Sequence, residues 1–174
     1  MSIQEIRFFG DPVLTTPASL VVDFDKELRV LVQDLTDTMI DAPGAGLAAP
    51  QIGVPLRVFV WDVDEALGHL INPTLTLSEE LQDGEEGCLS FPFLFLGIKR
   101  PKWVSVRYTN ENGEEVEETL HGMPGRIFQH ENEHMNGYVF TDLVSKLKLE
   151  RAEKSKQKMI KEIKKRQSGL RIIT

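Results

Sequence analysis

Gln129-His130-Glu131-Asn132-Glu133-His134 is the stretch on which the reading of this chain turns. An α-helix advances about 3.6 residues per turn, so side chains four apart stand one above the other on a single face. Two imidazoles at that spacing can grip one metal ion, and the carboxylate after the first can manage the proton of an activated water. A catalytic metal centre commonly takes three protein ligands and keeps one position open. The third ligand must come from elsewhere in the chain, and Cys88, its sole cysteine, is the best candidate.

Each half of this constellation has a plainer reading. The two histidines and the glutamate could share a solvated helix face. Against that, Ile127, Phe128, Met135 and Val139 make the neighbourhood apolar, and buried imidazole and carboxylate groups need partners. An isolated cysteine is often just a small buried hydrophobe. Cys88, however, follows Gly87, which allows close backbone approach, and lies in a short acidic segment rather than an apolar strand. His69, in an apparent strand, and His121, beside the turn Gly122-Met123-Pro124, read as structural.

Outward from the motif, periodicity supplies the elements. A buried helix is expected from Gly125, stopped by Asn136-Gly137. Leu28, Leu31, Leu35 and Met39 give an amphipathic helix over Phe24 to Ile40, with Asp23 or Asp25 as its cap. Short strands are expected at Arg57 to Trp61 and His69 to Asn72, with Asn72-Pro73 turning the chain and Leu75-Thr76-Leu77 continuing the sheet. Trp103 to Tyr108 and Glu114 to Leu120 form a hairpin through Asn112-Gly113. The acidic run Glu79 to Glu86 leads into Gly87-Cys88-Leu89-Ser90 and then the apolar Phe91 to Ile98. A last helix starts near Thr141-Asp142. The small-residue loop Gly44 to Gln51 lacks the Lys-Ser/Thr of a phosphate loop; it suits close approach of a peptide backbone, with Gln51 offering an amide donor.

Composition fits one soluble globular domain: 174 residues, 41% hydrophobic and 27% charged. A lone cysteine makes no internal disulfide, the N-terminus has no charged-then-apolar leader, and no run reaches membrane-spanning length. A cytoplasmic protein is the expectation. The net charge of −7 is unevenly spread. Residues 146–174 hold eleven basic groups against three acidic ones, or +8, leaving −15 on the body. Such an arm either meets an anionic partner or is a solvated helix tied by pairs such as Glu150–Lys154 and Glu162–Arg166. The expected division is a catalytic unit, 1–145, and a basic helical extension, 146–174.

Three segments together carry a likeness: Gly44-Ala45-Gly46-Leu47-Ala48-Ala49-Pro50-Gln51, Glu86-Gly87-Cys88-Leu89-Ser90, and Gln129-His130-Glu131-x-x-His134-x-x-Gly137. In order and spacing the chain resembles a peptide deformylase from Asp11 to about Asp142. The resemblance implies an α+β fold, with small antiparallel or mixed β-sheets around a central helix carrying the motif, and a C-terminal helix. It implies hydrolysis of the formyl group from the N-terminal formyl-methionine of new polypeptides, with release of formate. The implied metal ligands are Cys88, His130 and His134, the implied general base is Glu131, and the oxyanion donors are Leu89 N–H and the Gln51 amide. Gly46 would contact the substrate backbone, and Arg100 would brace Glu86. One divalent ion is implied, ferrous iron first, with zinc or nickel able to substitute. Some deformylases dock on the ribosome through a C-terminal helix, which makes ribosomal RNA a partner for the basic tail; a monomer is expected.

Departures from the family pattern are Glu133 for the usual Asp, Met135 for Leu, and Phe95 where many members carry arginine. Phe93-Leu94-Phe95-Leu96 is thus an apolar contact for the peptide, an oligomer contact or core. Two rivals share the motif. A metalloprotease more often takes His or Glu as third ligand. A ribosome-associated protein with a structural metal needs neither Glu131 nor Gln51.

Overall fold

The computed structural model describes residues 2–170; Met1, and Arg171 with the rest of the basic tail's end, lie outside the described residues. Helix α1 (Lys26–Asp41) is followed by strands β1 (Gly46–Ala48), β2 (Val58–Val63), β3 (Ala66–Leu77), β4 (Leu81–Cys88), β5 (Phe91–Pro101), β6 (Trp103–Thr109) and β7 (Glu115–His121). Helix α2 (Gly122–Met135) carries the motif, and α3 (Lys146–Leu170) closes the described chain. One sheet has the order β1-β2-β3-β6-β7, and β4-β5 is a separate hairpin. Among the described residues every strand pair is antiparallel, and the one parallel contact is an isolated bridge, Ser19 to Leu56. The α+β class read from the sequence holds.

Alternation along β2 decides the layering. Val58 and Val60 face a cluster with Leu28, Val32, Leu35 and Met39 of α1. Phe59, between them, joins Phe128, Ile127 and Met135 of α2 on the opposite face. Strand β2 is therefore buried on both faces, with period-2 alternation separating the two cores. The phenylalanine pair Phe59–Phe128 meets edge-on at 5.2 Å and fixes α2 against the sheet. A third cluster joins Phe91, Leu94, Leu96 and Ile98 of β5 to Val139 and Phe140, with Leu149 and Ala152 of α3 packed on it.

Several boundaries differ from the sequence reading. Asp25, not Asp23, caps α1 by accepting from Leu28 N at 3.1 Å. Asn72-Pro73 does not turn the chain. Asn72 sits at φ +53 inside β3, where the register against β6 shifts, and its amide trades two 2.8 Å hydrogen bonds with the Val21 backbone. Helix α2 begins at Gly122, with His121 as N-cap, because proline lacks the N–H that a first helical turn leaves unused anyway. The last helix begins at Lys146. Asp142 commits its carboxylate to Val139 N at 3.0 Å, holding Phe140–Leu143 as a separate 3-10 turn. Within α3, Glu153 meets Lys156 at 3.9 Å, an i,i+3 pair. Among the described residues no helix is long and apolar enough to cross a membrane.

Candidate metal centre and active-site cleft

Helix α2 presents its histidines from a C-terminal end that is held in place. Arg57 reaches from β2 to its C-terminus and donates to Asn132 Oδ1 (3.2 Å), Asn136 Oδ1 (2.8 Å) and the Met135 carbonyl (3.4 Å), placing a cation where the helix dipole is negative. Gly137, at φ +78, ends the helix as the sequence predicts, and an added Cβ there would meet the backbone of Thr16 at 3.0 Å. His130 and His134 then stack edge-on, with ring centroids 5.0 Å apart. Cys88, at the end of β4, brings Sγ to 3.3 Å from His134 Nε2. The sulfur and one nitrogen from each imidazole lie within 4.8 Å of one another. Among the described residues this is the group of Cys, His, Asp and Glu side chains arranged to hold a metal ion.

Beneath the ligands lies a buried ionic network. His130 Nδ1 donates to Glu86 Oε2 at 3.0 Å, which leaves Nε2 as the atom free to meet a metal ion. Arg100 grips Glu86 and Glu133 together, donating to both oxygens of each at between 2.5 and 3.0 Å. Arg126 adds a 2.7 Å bond to Glu86 Oε1. Burial by itself would raise the Glu86 pKa; the hydrogen bonds from His130 and Arg100 outweigh it and bring the carboxyl down to about 2. His130 shows the same contest. Burial favours its neutral form, yet Cys88 and Glu86 raise its pKa well above the usual histidine range. His134, buried without an anionic brace, is pushed well below that range.

Glu131 and Gln51 complete the site. Glu131 is 4% exposed, and its Oε2 has no hydrogen-bond partner. Burial pushes its pKa up to about 7 against the pull of His130. Its other oxygen explains Gly46: a Cβ there would stand 2.6 Å from Glu131 Oε1. Gln51 is oriented at both ends of its amide. Oε1 accepts from Ala48 N at 2.9 Å, and Nε2 points to Ser90 Oγ (3.2 Å) and Cys88 Sγ (3.6 Å). Gly46, Gln51, Cys88, Leu89, His130 and Glu131 all line one cleft of about 630 Å³. The donor set of one thiol and two imidazoles, with an unpartnered carboxylate oxygen beside it, fits a divalent transition metal.

The structure thus brings together every site residue read from the sequence, and leaves His69 and His121 outside. His69 Nε2 accepts from Glu111 N at 3.2 Å, and His121 occupies the N-cap position of α2. Sequence reasoning missed Arg126, Ser90 and the part played by Glu133. One signal was available: Glu131 and Glu133 flank the motif histidines and Glu86 precedes Cys88, so three carboxylates near one site would need more than the single Arg100. Ser90 stands inside the Glu-Gly-Cys-Leu-Ser segment, but only its 1% exposure marks the hydroxyl as an acceptor for Gln51.

The comparisons with known proteins bear on the whole of this arrangement. The polypeptide deformylase family profile matches residues 3–150. A peptide deformylase of Acidothermus cellulolyticus is 58% identical over 142 residues, spanning 82% of this chain and 79% of that protein. The crystal structure of the Thermotoga maritima peptide deformylase superposes with a TM-score of 0.82 at 44% identity, covering 83% of this chain and 99% of that one. A peptide deformylase from Synechococcus elongatus, solved in complex with actinonin, gives 0.84 at 38% identity over 88% of this chain and 86% of that one. The chain belongs to the peptide deformylase family of hydrolases.

Proposed function

We propose that this hydrolase removes the formyl group from the N-terminal formyl-methionine of new polypeptides in a metal-dependent reaction that releases formate. The observation that carries the reading is the convergence of Cys88, His130 and His134 beside the unpartnered oxygen of Glu131 in one cleft. Cys88 Sγ and the two imidazoles would hold one divalent ion; ferrous iron is our first choice, with zinc or nickel able to replace it. When bound, the ion supplies Lewis acidity that makes water nucleophilic near neutral pH.

The protein's own groups do the rest. Glu131 takes the proton of the attacking water through its free oxygen, with no bond to break first. Gln51 Nε2 and Leu89 N–H donate to the oxyanion that develops on the formyl oxygen; losing one such donor costs about 2.7–4 kcal/mol of barrier. Gln51 needs little reorganisation for this, because Ala48 N already holds its Oε1. The C–N bond then breaks, Glu131 returns the proton to the methionine nitrogen, and formate leaves. Glu86, Arg100 and Arg126 act at one remove, fixing the tautomer of His130. Gly46 leaves room both for Glu131 and for the substrate backbone. The test is anaerobic purification, metal analysis and formate release from formyl-Met peptides. A metal-loaded protein that released no formate would overturn the reading.

Residues 1–145 form the catalytic unit in this proposal, and 146–174 a basic extension that binds ribosomal RNA while the enzyme acts as a cytoplasmic monomer. Support comes from the exposed Lys154, Lys158, Lys161 and Lys164 of α3, most of which lies past the end of the family match at residue 150. Lys154→Glu with Lys158→Glu and Lys161→Glu should abolish salt-dependent cosedimentation with ribosomes and leave turnover of formyl-Met-Ala unchanged. Cosedimentation that survives the triple reversal would remove the tail from that role.

A further inference from the structure

Strand β5 departs from its partner directly beside the metal ligands. Gly87 pairs with Phe95, yet the next residue, Cys88, pairs with Phe91. Pro92, Phe93 and Leu94 are therefore extra residues that bulge from the hairpin. Phe93 sits in that bulge at φ +63, a conformation that a bulky L side chain adopts only under strain. Such strain costs about 1–3 kcal/mol and persists where the surroundings over-determine it, often at a ligand site.

The side chains then divide by face. Leu94 and Leu96 turn inward and are 1% and 2% exposed, packed in the cluster that receives α3. Phe93 and Phe95 turn the other way, remain 48% and 49% exposed, and line the catalytic cleft. Phe95 lies across Gly87, where an added Cβ would meet its ring at 3.0 Å. The glycine next to the ligand Cys88 thus seats an aromatic ring at the mouth of the site. Met123, at the start of α2, is 56% exposed and lines the same cleft. The rim carries one exposed charge among these lining residues, Glu85, while Glu86, Arg126, His130 and Glu131 are buried below it.

We infer that Phe93 and Phe95 form an aromatic subsite that selects formylated peptides with a large apolar side chain within the two residues after the formyl-methionine, and that Glu85 disfavours acidic ones. The inference rests on the deformylase reading of the cleft. Its geometry follows from chain lengths. Phe95 is seated one residue from Cys88, and an extended peptide advances about 3.3–3.6 Å per residue, so the side chains that reach the rim are those just beyond the one at the reaction centre. Apolar contact with two half-exposed rings favours such side chains through the area removed from water, and it acts on ground state and transition state alike.

The test uses the metal-loaded full chain and a series formyl-Met-X-Ser in which X is Leu, Phe, Ser, Lys or Asp, with a second series that varies the third position. In the wild type, kcat/KM for Leu or Phe should exceed that for Ser by about tenfold in one series, mainly through KM, with Asp the poorest. Phe95→Ser and Phe93→Gly should each reduce that ratio towards one, and Phe95→Arg should make Asp preferred over Lys. The ratio is the informative readout, since general damage to the fold lowers every substrate alike. Phe93→Gly suits its φ and guards against misfolding of the Ser variant. A flat wild-type profile in both series, or variants that keep the preference, would overturn the subsite while leaving deformylation intact. Failure to release formate from any peptide would instead remove the reading beneath it.

Discussion

On the floor of the cleft, Glu86, Arg100, Arg126, Glu133 and His130 hold one another by short charge-assisted hydrogen bonds. On its rim, Phe93 and Phe95 stand half-exposed and share no polar contact with the site. The floor is over-determined: Glu86 is held by Arg100, Arg126 and His130 at once, and Arg100 also carries Glu133. The rim is held from behind, by Leu94 and Leu96 in the core. Chemistry that must place a ligand to a fraction of an ångström uses the first construction, because directional bonds fix orientation. Contact with varied peptide side chains uses the second, because apolar surface tolerates differences in shape.

The sharpest way to break this contrast is on the floor. Glu131→Gln keeps the volume and one acceptor oxygen but removes the base. Turnover should fall about 10²–10⁴-fold, with metal content unchanged by elemental analysis. Because the carboxylate it replaces is buried and half-unpartnered, the melting temperature should hold or rise. Wild-type turnover in a metal-loaded variant would strike Glu131 from its role. Gly46→Ala should damage the same residue indirectly, because the new methyl would enter the space of Glu131 Oε1. The expected signature is a loss of kcat with full metal occupancy.

Arg100→Met examines the network itself. It leaves Glu86 with Arg126 alone and strands Glu133, so unfolding free energy should drop by about 3–5 kcal/mol in a denaturant titration. Metal affinity should weaken about 10–100-fold, since His130 loses its fixed orientation. A variant as stable as wild type would mean that Arg126 alone satisfies Glu86, and that the floor is less tightly coupled than its geometry implies.

The two regions also differed in how far the sequence exposed them. The candidate ligands Cys88, His130 and His134 and the candidate base Glu131 were legible because metal-assisted hydrolysis asks for particular residue types at particular spacings, whereas the role proposed for Leu89 came from the family resemblance. His-Glu-x-x-His by itself left a protease open; Cys88 in Glu-Gly-Cys-Leu-Ser pointed away from one, while Glu131 and Gln51 argued against a purely structural metal. The helices and most strands followed from apolar period, as with Leu28, Leu31, Leu35 and Met39 of α1. What did not follow was long-range or locally unusual. Arg126 reaches Glu86 across 40 residues, a pairing that no periodicity encodes. Asn72 at positive φ carries a strand through a position that sequence rules assign to a turn, because its amide has a distant backbone to hold. The run Phe93 to Leu96 was ambiguous between peptide contact, oligomer contact and core because its side chains alternate between the cleft and the core, and only a three-residue bulge shows which residue faces which way.

That alternation makes the smallest predicted effect the most discriminating. Leu94→Ala removes a side chain that is 1% exposed, and should cost about 2–5 kcal/mol of stability through reduced burial and the cavity left behind. Phe93→Gly, one residue earlier, removes a larger side chain and should change stability by less than about 1 kcal/mol, because release of the strained φ offsets the removal of a half-exposed ring. Both are measurable by denaturant midpoints on the metal-loaded protein. If the phenylalanine proved the costlier of the two, its ring would belong to the core, and the open apolar rim would be structural rather than a surface kept for the peptide.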